Sequence, residues 1–463
     1  MLSLTNKHLC LACKHLCLAW IGLMAFCGAG GFISPAWPSD AGTLRVGYAD
    51  LDITPELGHT MPGYFEERRA TGVLDPLRAK ALVLTQGGTT LAIVALDLIS
   101  IEKPIADEIR GAVSQKTGIP TERIFLHATH THTGATISEI KDQLPGQVTE
   151  VVQQALEKRV EEFQVTLGTC EEHRIAFIRR YLMKDGTVRT NPGRGNPNIV
   201  RPIGKIDPTV YAITFSQAKT ILASYGLHLD CIGGTQYSAD YPYHMTEAVK
   251  KELGGAWNVI YLNACCGNVN HININNPNQR SGYEESRSIG QRLAESVLWA
   301  HRNGMAIPVD TIGAKAESVP TPARQIPEDL LQWAQEQMAA DPTAASQRQF
   351  NEETPSRIIE LAQVQDTLRT AEIIALRVGP VGIVGLPAET FVEVGQDIKI
   401  HSPFDPTLVI GLTGGSMGYL PHPRGYDEGG YEGTIASARN ARETGILWSD
   451  TAFRLLRELL SGE

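Results

Sequence analysis

From residue 44 onward, short apolar runs alternate with longer amphipathic ones, the pattern of an α/β fold. Runs rich in branched and aromatic side chains predict strands over 45–49, 81–85, 91–96, 123–127, 210–215, 220–225 and 259–263. Apolar residues recurring every three or four positions predict helices: Ile105, Ile109 and Val113; Val148, Val151, Val152 and Ala155; Met245, Val249 and Leu253; Ile289, Leu293 and Val297. Each group makes one stripe that needs a sheet to cover it. Strand character returns at 373–378 and 381–386, joined by a turn at Gly379-Pro380. The expected architecture is one large domain over 44–463, with a mixed β-sheet core flanked by helices.

The connections differ in character. Stretches 191–208 and 268–279 are rich in Gly, Pro and Asn and are too polar to be buried without special partners. Segment 326–368 is a polar helical excursion with Leu330, Trp333, Ala334 and Met338 on one face and a break at Pro342, either a lid or an outer helical pair. No repeat and no low-complexity linker interrupts the pattern.

Residues 1–36 read differently from the rest. Lys7 and Lys14 precede an apolar run over 16–26, followed by small residues and Ser34-Pro35-Ala36, as in an export signal cleaved after Ala29 or Ala36. A membrane anchor is the rival, but the run is short of the roughly 20 residues a spanning helix needs. Bulky Phe26 argues against a lipoprotein cleavage box. The expected location is therefore periplasmic or extracellular, with no stable membrane span after cleavage.

Composition narrows the class. The chain has 463 residues, 42% of them hydrophobic and 20% charged, which excludes disordered and fibrous proteins. The formal charge of −10, with no block of Lys and Arg, excludes a nucleic-acid partner. Four of the eight cysteines, Cys10, Cys13, Cys17 and Cys27, fall in the leader. Cys170, Cys231, Cys265 and Cys266 are too few for a disulfide scaffold and lack metal-binding CxxC spacing.

Candidate chemistry begins at the end of the 123–127 strand, where His127-Ala128-Thr129-His130-Thr131-His132-Thr133-Gly134 holds three histidines. Strand alternation would place His130 and His132 on one face, where two imidazoles can share a metal or a substrate, and His127 on the other. Polar caps on a strand end are the alternative. His228 ends another apolar run in Tyr225-Gly226-Leu227-His228, and Glu389 follows the last hairpin in Gly385-Leu386-Pro387-Ala388-Glu389. Each has a structural reading on its own, Glu389 as a first-turn helix acid. Gly414-Gly415-Ser416-Met417-Gly418 fits a nucleophile elbow, but Pro421, Pro423 and Gly425 forbid the helix an elbow must lead into.

Together these motifs resemble the neutral, non-lysosomal ceramidases and their shorter bacterial relatives, which are zinc-dependent amide hydrolases. The opening Val46-Gly47-Tyr48-Ala49 with Asp52-Ile53-Thr54-Pro55 and Pro62-Gly63-Tyr64 is similar to the family's start. The histidine run is similar to its Thr-His-Thr-His-Ser-Gly signature, with Thr133 in place of Ser. The resemblance implies Zn2+ held by His130, His228, Glu389 and Tyr419, with His132, Tyr431 and Arg179 in the active site. Tyr419 in Gly418-Tyr419-Leu420-Pro421 and Tyr431 in Tyr431-Glu432-Gly433 keep the family's spacing of the two tyrosines. Arg180 could take the role of Arg179 after a one-residue slip, and adjacent arginines on a strand face opposite ways, so only one can serve.

One departure stands out. Where the family has Gly-Asp-x-Ser-Pro, this chain reads Gly267-Asn268-Val269-Asn270-His271. Asn270 cannot be a nucleophile, but its amide can donate and accept hydrogen bonds near a metal. Nothing remains after Gly433 for the family's immunoglobulin-like C-terminal domain. Asp97 and Asp240 resemble the family's structural acids, with a helix N-cap expected for Asp240.

The expected activity is hydrolysis of a linear N-acyl amide, of a small molecule or a lipid. Zinc would lower the pKa of a bound water from about 15.7 toward 7 and polarise the carbonyl. His132 would carry the proton that releases the amine, and Tyr431 or Arg179 would help hold the oxyanion. A metal-dependent esterase or phosphoesterase, or a degenerate relative that binds lipid or glycan, are the alternatives.

Overall fold

Three sheets share one apolar core, and each turns its outer face to helices. A computed structural model of the protein describes residues 42–341 and 351–462. The predicted signal peptide and the break at Pro342 lie outside the described residues.

The first sheet runs Ile124–Ala128, Thr89–Leu96, Arg78–Gln86, Arg45–Asp52 and Val160–Glu161, with only the Thr89–Leu96 to Ile124–Ala128 pairing parallel. The second runs Asn258–Asn263, Thr220–Tyr225, Thr209–Phe215, Val165–Glu171 and Met305–Ala306. The third runs Ile312–Thr321, Arg369–Val378, Val381–Gly385 and Thr407–Ile410. All are mixed, so the mixed core expected from the sequence is present as three sheets. Leu82, Ile93 and Phe125 of the first, Ile213, Leu222 and Ile260 of the second, and Ile374, Leu376 and Ile383 of the third pack into one cluster.

The predicted helical stripes cover the opposite faces. Ile105, Ile109 and Val113 of Lys103–Thr117, with Val148, Val151 and Val152 of Leu144–Glu157, pack on the first sheet. Met245 and Val249 of Tyr241–Leu253 and Ile289, Leu293 and Val297 of Tyr283–Asn303 pack on the second. Asp240 caps Tyr241–Leu253, its Oδ1 accepting from the Tyr241 amide at 2.7 Å. Val394 and Ile398 of Val392–His401 and Trp448, Leu455 and Leu456 of Thr444–Ser461 cover the third sheet. Strands Val165–Glu171 and Ile312–Thr321 were not expected, since their exposed positions dilute the apolar period, and the last helix, Thr444–Ser461, was not expected either.

The 326–368 excursion forms helices Glu328–Ala340 and Pro355–Ala362 that pack on each other through Ala334 and Ile358. Trp333 stays exposed, so the apolar face is narrower than its sequence implies. Among the described residues no helix is long and apolar enough to cross a membrane.

Candidate metal centre

The strand carrying the histidine run stops at Ala128, before the histidines of interest. His130 turns the chain out of the sheet in a left-handed conformation, φ 84°, with its amide on the Leu98 carbonyl at 2.9 Å. Strand alternation therefore does not bring His130 and His132 together, as the sequence suggested; the turn does. The His132 amide then donates to Leu229 at 3.0 Å, and Thr131 bridges Leu229 in parallel, which lays the run beside the segment carrying His228.

The ring hydrogen bonds fix what the imidazoles offer. His130 Nδ1 lies 2.8 Å from the Ile99 carbonyl and His228 Nδ1 3.4 Å from that of Cys266. A carbonyl only accepts, so both Nδ1 atoms carry the proton and both Nε2 atoms present lone pairs. Those two Nε2 atoms are 3.0 Å apart. Glu389 Oε2 is 3.2 Å from the first and 3.6 Å from the second, buried, with no donor aimed at it. Two lone pairs and a carboxylate oxygen facing one point repel unless positive charge stands among them. The residues fit a metal ion, and the imidazole and carboxylate donors suit zinc.

The titration shifts carry the same message. Burial lowers the His130 imidazole, but the Glu389 carboxylate outweighs it and holds the group above its ordinary range. Burial would raise Glu389, and His130 with His228 instead holds it well below the usual carboxylate range. Burial, then the His130 charge, pushes His132 down to about 4, so this ring is neutral near pH 7. Its Nε2 is 3.4 Å from that of His130, and the three histidines form a buried group able to hold a metal.

Tyr419 reaches the centre from a two-residue strand, Tyr419–Leu420, paired in parallel with Glu389–Thr390. No helix follows Ser416, so the elbow-like motif is the turn that delivers this tyrosine. Arg179 Nη2 donates to the Tyr419 hydroxyl at 2.9 Å and to the Gly267 carbonyl at 2.8 Å. Arg179 Nε lies 2.6 Å from Glu432 Oε1, while Thr190 donates to Glu432 Oε2 at 2.5 Å. Arg180 shares that carboxylate at 3.5 Å but extends away to Glu428 and Gly429. Of the two arginines, Arg179 is the one at the site.

The open side is aromatic. The Tyr64 ring meets His132 edge-on at 5.9 Å, and Phe65 meets Tyr431 at 6.0 Å, with the Tyr431 ring 5.6 Å from that of Tyr419. Tyr64 and Phe65 are 46% and 42% exposed, which marks the mouth. Arg68 ties this rim down, donating to Pro62 at 2.6 Å, His132 at 2.7 Å and Gly234 at 2.9 Å. The Tyr431 amide is held by Asn351 at 3.1 Å, so the helical excursion braces the tyrosine from behind.

Asn270 is fully buried, and its amide is turned toward its own loops. Nδ2 donates to Asn191 at 2.6 Å and Oδ1 accepts from the Ile272 amide at 3.0 Å. His127 is structural: Nδ1 donates to Gly411 at 2.9 Å and Nε2 accepts from the Asn263 amide at 3.1 Å. Asp97 accepts from the Arg78 amide and the Thr129 hydroxyl, clamping the base of the run. Sequence reasoning missed Arg68 and Glu432. Glu432 lay inside a motif already noted.

No family model and no curated protein sequence matches the chain. Solved structures do. The neutral ceramidase from Pseudomonas aeruginosa superposes with a TM-score of 0.70 at 15% identity, over 90% of this chain and 75% of that one. A ceramidase complexed with C2 gives 0.70 at 16% identity, over the same shares. At such identity the likeness establishes the fold, and this chain has the fold of neutral ceramidase.

Proposed function

We propose that this protein is a zinc-dependent hydrolase that cleaves the N-acyl bond of a linear amide in a lipid or a related small molecule, in the manner of a ceramidase. The observation that carries the reading is the convergence of the His130 and His228 Nε2 lone pairs on the donorless Glu389 Oε2, on a neutral ceramidase fold. His130, His228, Glu389 and Tyr419 would hold the ion, which when bound supplies Lewis-acid polarisation and an acidified water.

The chain's own residues account for the remainder. His132, neutral near pH 7, accepts the proton of the attacking water and returns it to the leaving nitrogen. Arg179, fixed by Glu432, and the Tyr431 phenol are the donors for the developing oxyanion. Tyr64 and Phe65 offer apolar surface to an acyl chain at the mouth. Asn270 in the family's serine position leaves a serine-dependent route without its nucleophile. Residues 1–36 are proposed to direct export.

The test compares matched amide, ester and phosphoester substrates with the zinc-loaded protein. Amide cleavage lost on chelation and restored by zinc is the expected result. Turnover of phosphoesters alone would replace this reading with a phosphoesterase, and a protein that binds no metal would be a degenerate binding relative.

A further inference from the structure

The tyrosine offered above as an oxyanion donor rides on a three-residue turn, Tyr431–Gly433, rather than on a long helix or strand. Gly429 and Gly430 lead into it with φ 81° and 77°, so the approach has no side chains to anchor it. Beyond the Glu432 carboxylate, much of the backbone support of this turn comes from the helical excursion and the segment before it. Arg324 donates to the Gly433 carbonyl at 2.8 Å, and the Glu353 carboxylate accepts from the Ile435 amide at 2.9 Å. The Ile435 side chain packs with Ile326, Ala334 and Ile358, the apolar seam of the two excursion helices.

Asn351 reaches Tyr431 itself. Its Oδ1 accepts from the Tyr431 amide at 3.1 Å and from the Thr190 amide at 2.6 Å, and its Nδ2 donates to the Thr190 carbonyl at 3.1 Å. A side-chain amide thus pairs with Thr190 as a neighbouring strand would, while the same oxygen holds the turn. Thr190 ends strand Val188–Thr190, where it faces Arg180 of the adjacent strand. Asn351 therefore clasps the Tyr431 turn to the sheet edge beside Arg179. The backbone suits the residue: Asn351 has φ 72°, a left-handed conformation that asparagine tolerates and branched side chains do not.

We infer that Asn351 is a positioning residue for the proposed reaction: it fastens the Tyr431 turn to Thr190 and so keeps the phenol aimed at the place where the oxyanion develops. This rests on the hydrolase reading above, which makes Tyr431 a donor. By the same inference the helical excursion is a support of the active site, not an outer ornament.

Two variants separate the bonds. Asn351→Gly removes the side chain and keeps the left-handed backbone, whereas Asn351→Asp keeps the acceptor for both amides and loses the donor to Thr190. Three readouts are taken on the zinc-loaded protein: hydrogen exchange by mass spectrometry, kcat and KM for N-ethyl dodecanamide, and calorimetric affinity for N-ethyl dodecylphosphonamidate, an uncleavable tetrahedral mimic. Asn351→Gly should speed exchange in the peptide over 429–436, with the histidine run and bound zinc as in wild type. Its kcat should fall about tenfold and its KM change less than about twofold, a part of the roughly 10²–10³-fold that loss of a whole oxyanion donor costs. Asn351→Asp should recover part of the loss. In a Tyr431→Phe background Asn351→Gly should change kcat and mimic affinity by less than about twofold, because the donor it serves is gone.

Unchanged exchange over 429–436, or a kcat loss that persists in full in the Tyr431→Phe background, overturns the inference and leaves the hydrolase reading standing. Mimic binding that depends on Asn351 only when Tyr431 is present, without cleavage of any amide, upholds the positioning role and removes the hydrolase. A wild type that neither cleaves the amide nor binds the mimic counts against both.

Discussion

Glu389 and Tyr419 are direct partners in a parallel pairing of two short strands, Glu389–Thr390 against Tyr419–Leu420. This register places a carboxylate and a phenol side by side over the two imidazoles. Gly267 passes beneath, where an added Cβ would stand 2.4 Å from the Glu389 carbonyl, so the pairing and the 267–271 loop are locked together.

Removing a donor from this set should release the metal. Zinc measured by mass spectrometry after exhaustive dialysis is expected at one equivalent in wild type and absent in His130→Ala and His228→Ala. Glu389→Gln, which keeps the shape and removes the charge, should weaken zinc by at least the 10–100-fold typical of supporting residues. Full retention by His130→Ala would remove this histidine from the ligand set.

Glu432 is buried and answers two buried guanidinium groups. Glu432→Gln leaves Arg179 without its carboxylate partner, while Arg180 keeps Glu428, and loss of one partner of a buried pair costs about 3–5 kcal/mol. Urea unfolding should show that destabilisation, with kcat falling as Arg179 loses its orientation. A change below about 0.5 kcal/mol, the scale of a surface substitution, would show the carboxylate to be dispensable.

The rim is held at a glycine. Gly63 has φ 99°, and an added Cβ would stand 2.6 Å from His132 Nδ1. Gly63→Ala should therefore displace His132 and Tyr64, at a cost of about 1–3 kcal/mol for the strained backbone. The expected signature is a fall in kcat larger than the loss of melting temperature implies. Unchanged kcat would mean that the rim relaxes without moving the histidine.

His127 gives the fold a pH dependence of its own. Burial pushes this imidazole down to about 3, against the pull of its bond to Gly411. The unfolded chain protonates near pH 6.5 and the folded one does not, so stability falls as pH drops from about 6.5 toward 3, by about 1.4 kcal/mol for each unit. His127→Gln can make both hydrogen bonds without titrating and should flatten that slope in urea titrations between pH 4 and 7. An equal slope in the variant would assign the acid sensitivity to other groups.

How much of this was legible beforehand depends on how local each signal is. The strands Thr89–Leu96 and Thr220–Tyr225 and the stripes of Lys103–Thr117 and Tyr283–Asn303 are written in residues a few positions apart, because burial of one face imposes a period on neighbours. Ile312–Thr321 escaped that reading, since its part-exposed face carries Lys315 and Glu317.

For the site, the sequence by itself supplied candidates: His130, His132, His228 and Glu389 through residue type and place, and Tyr419, Tyr431 and Arg179 through the family resemblance. It could not supply their arrangement. That His130 leaves the sheet with a left-handed backbone, that Glu389 pairs with Tyr419, and that Arg179 and not Arg180 faces inward are all decided by contacts between distant segments. A side chain's identity is fixed by the chain, but the direction of its lone pairs is fixed by the hydrogen bonds that surround it, and those form only when the three sheets close on their common core.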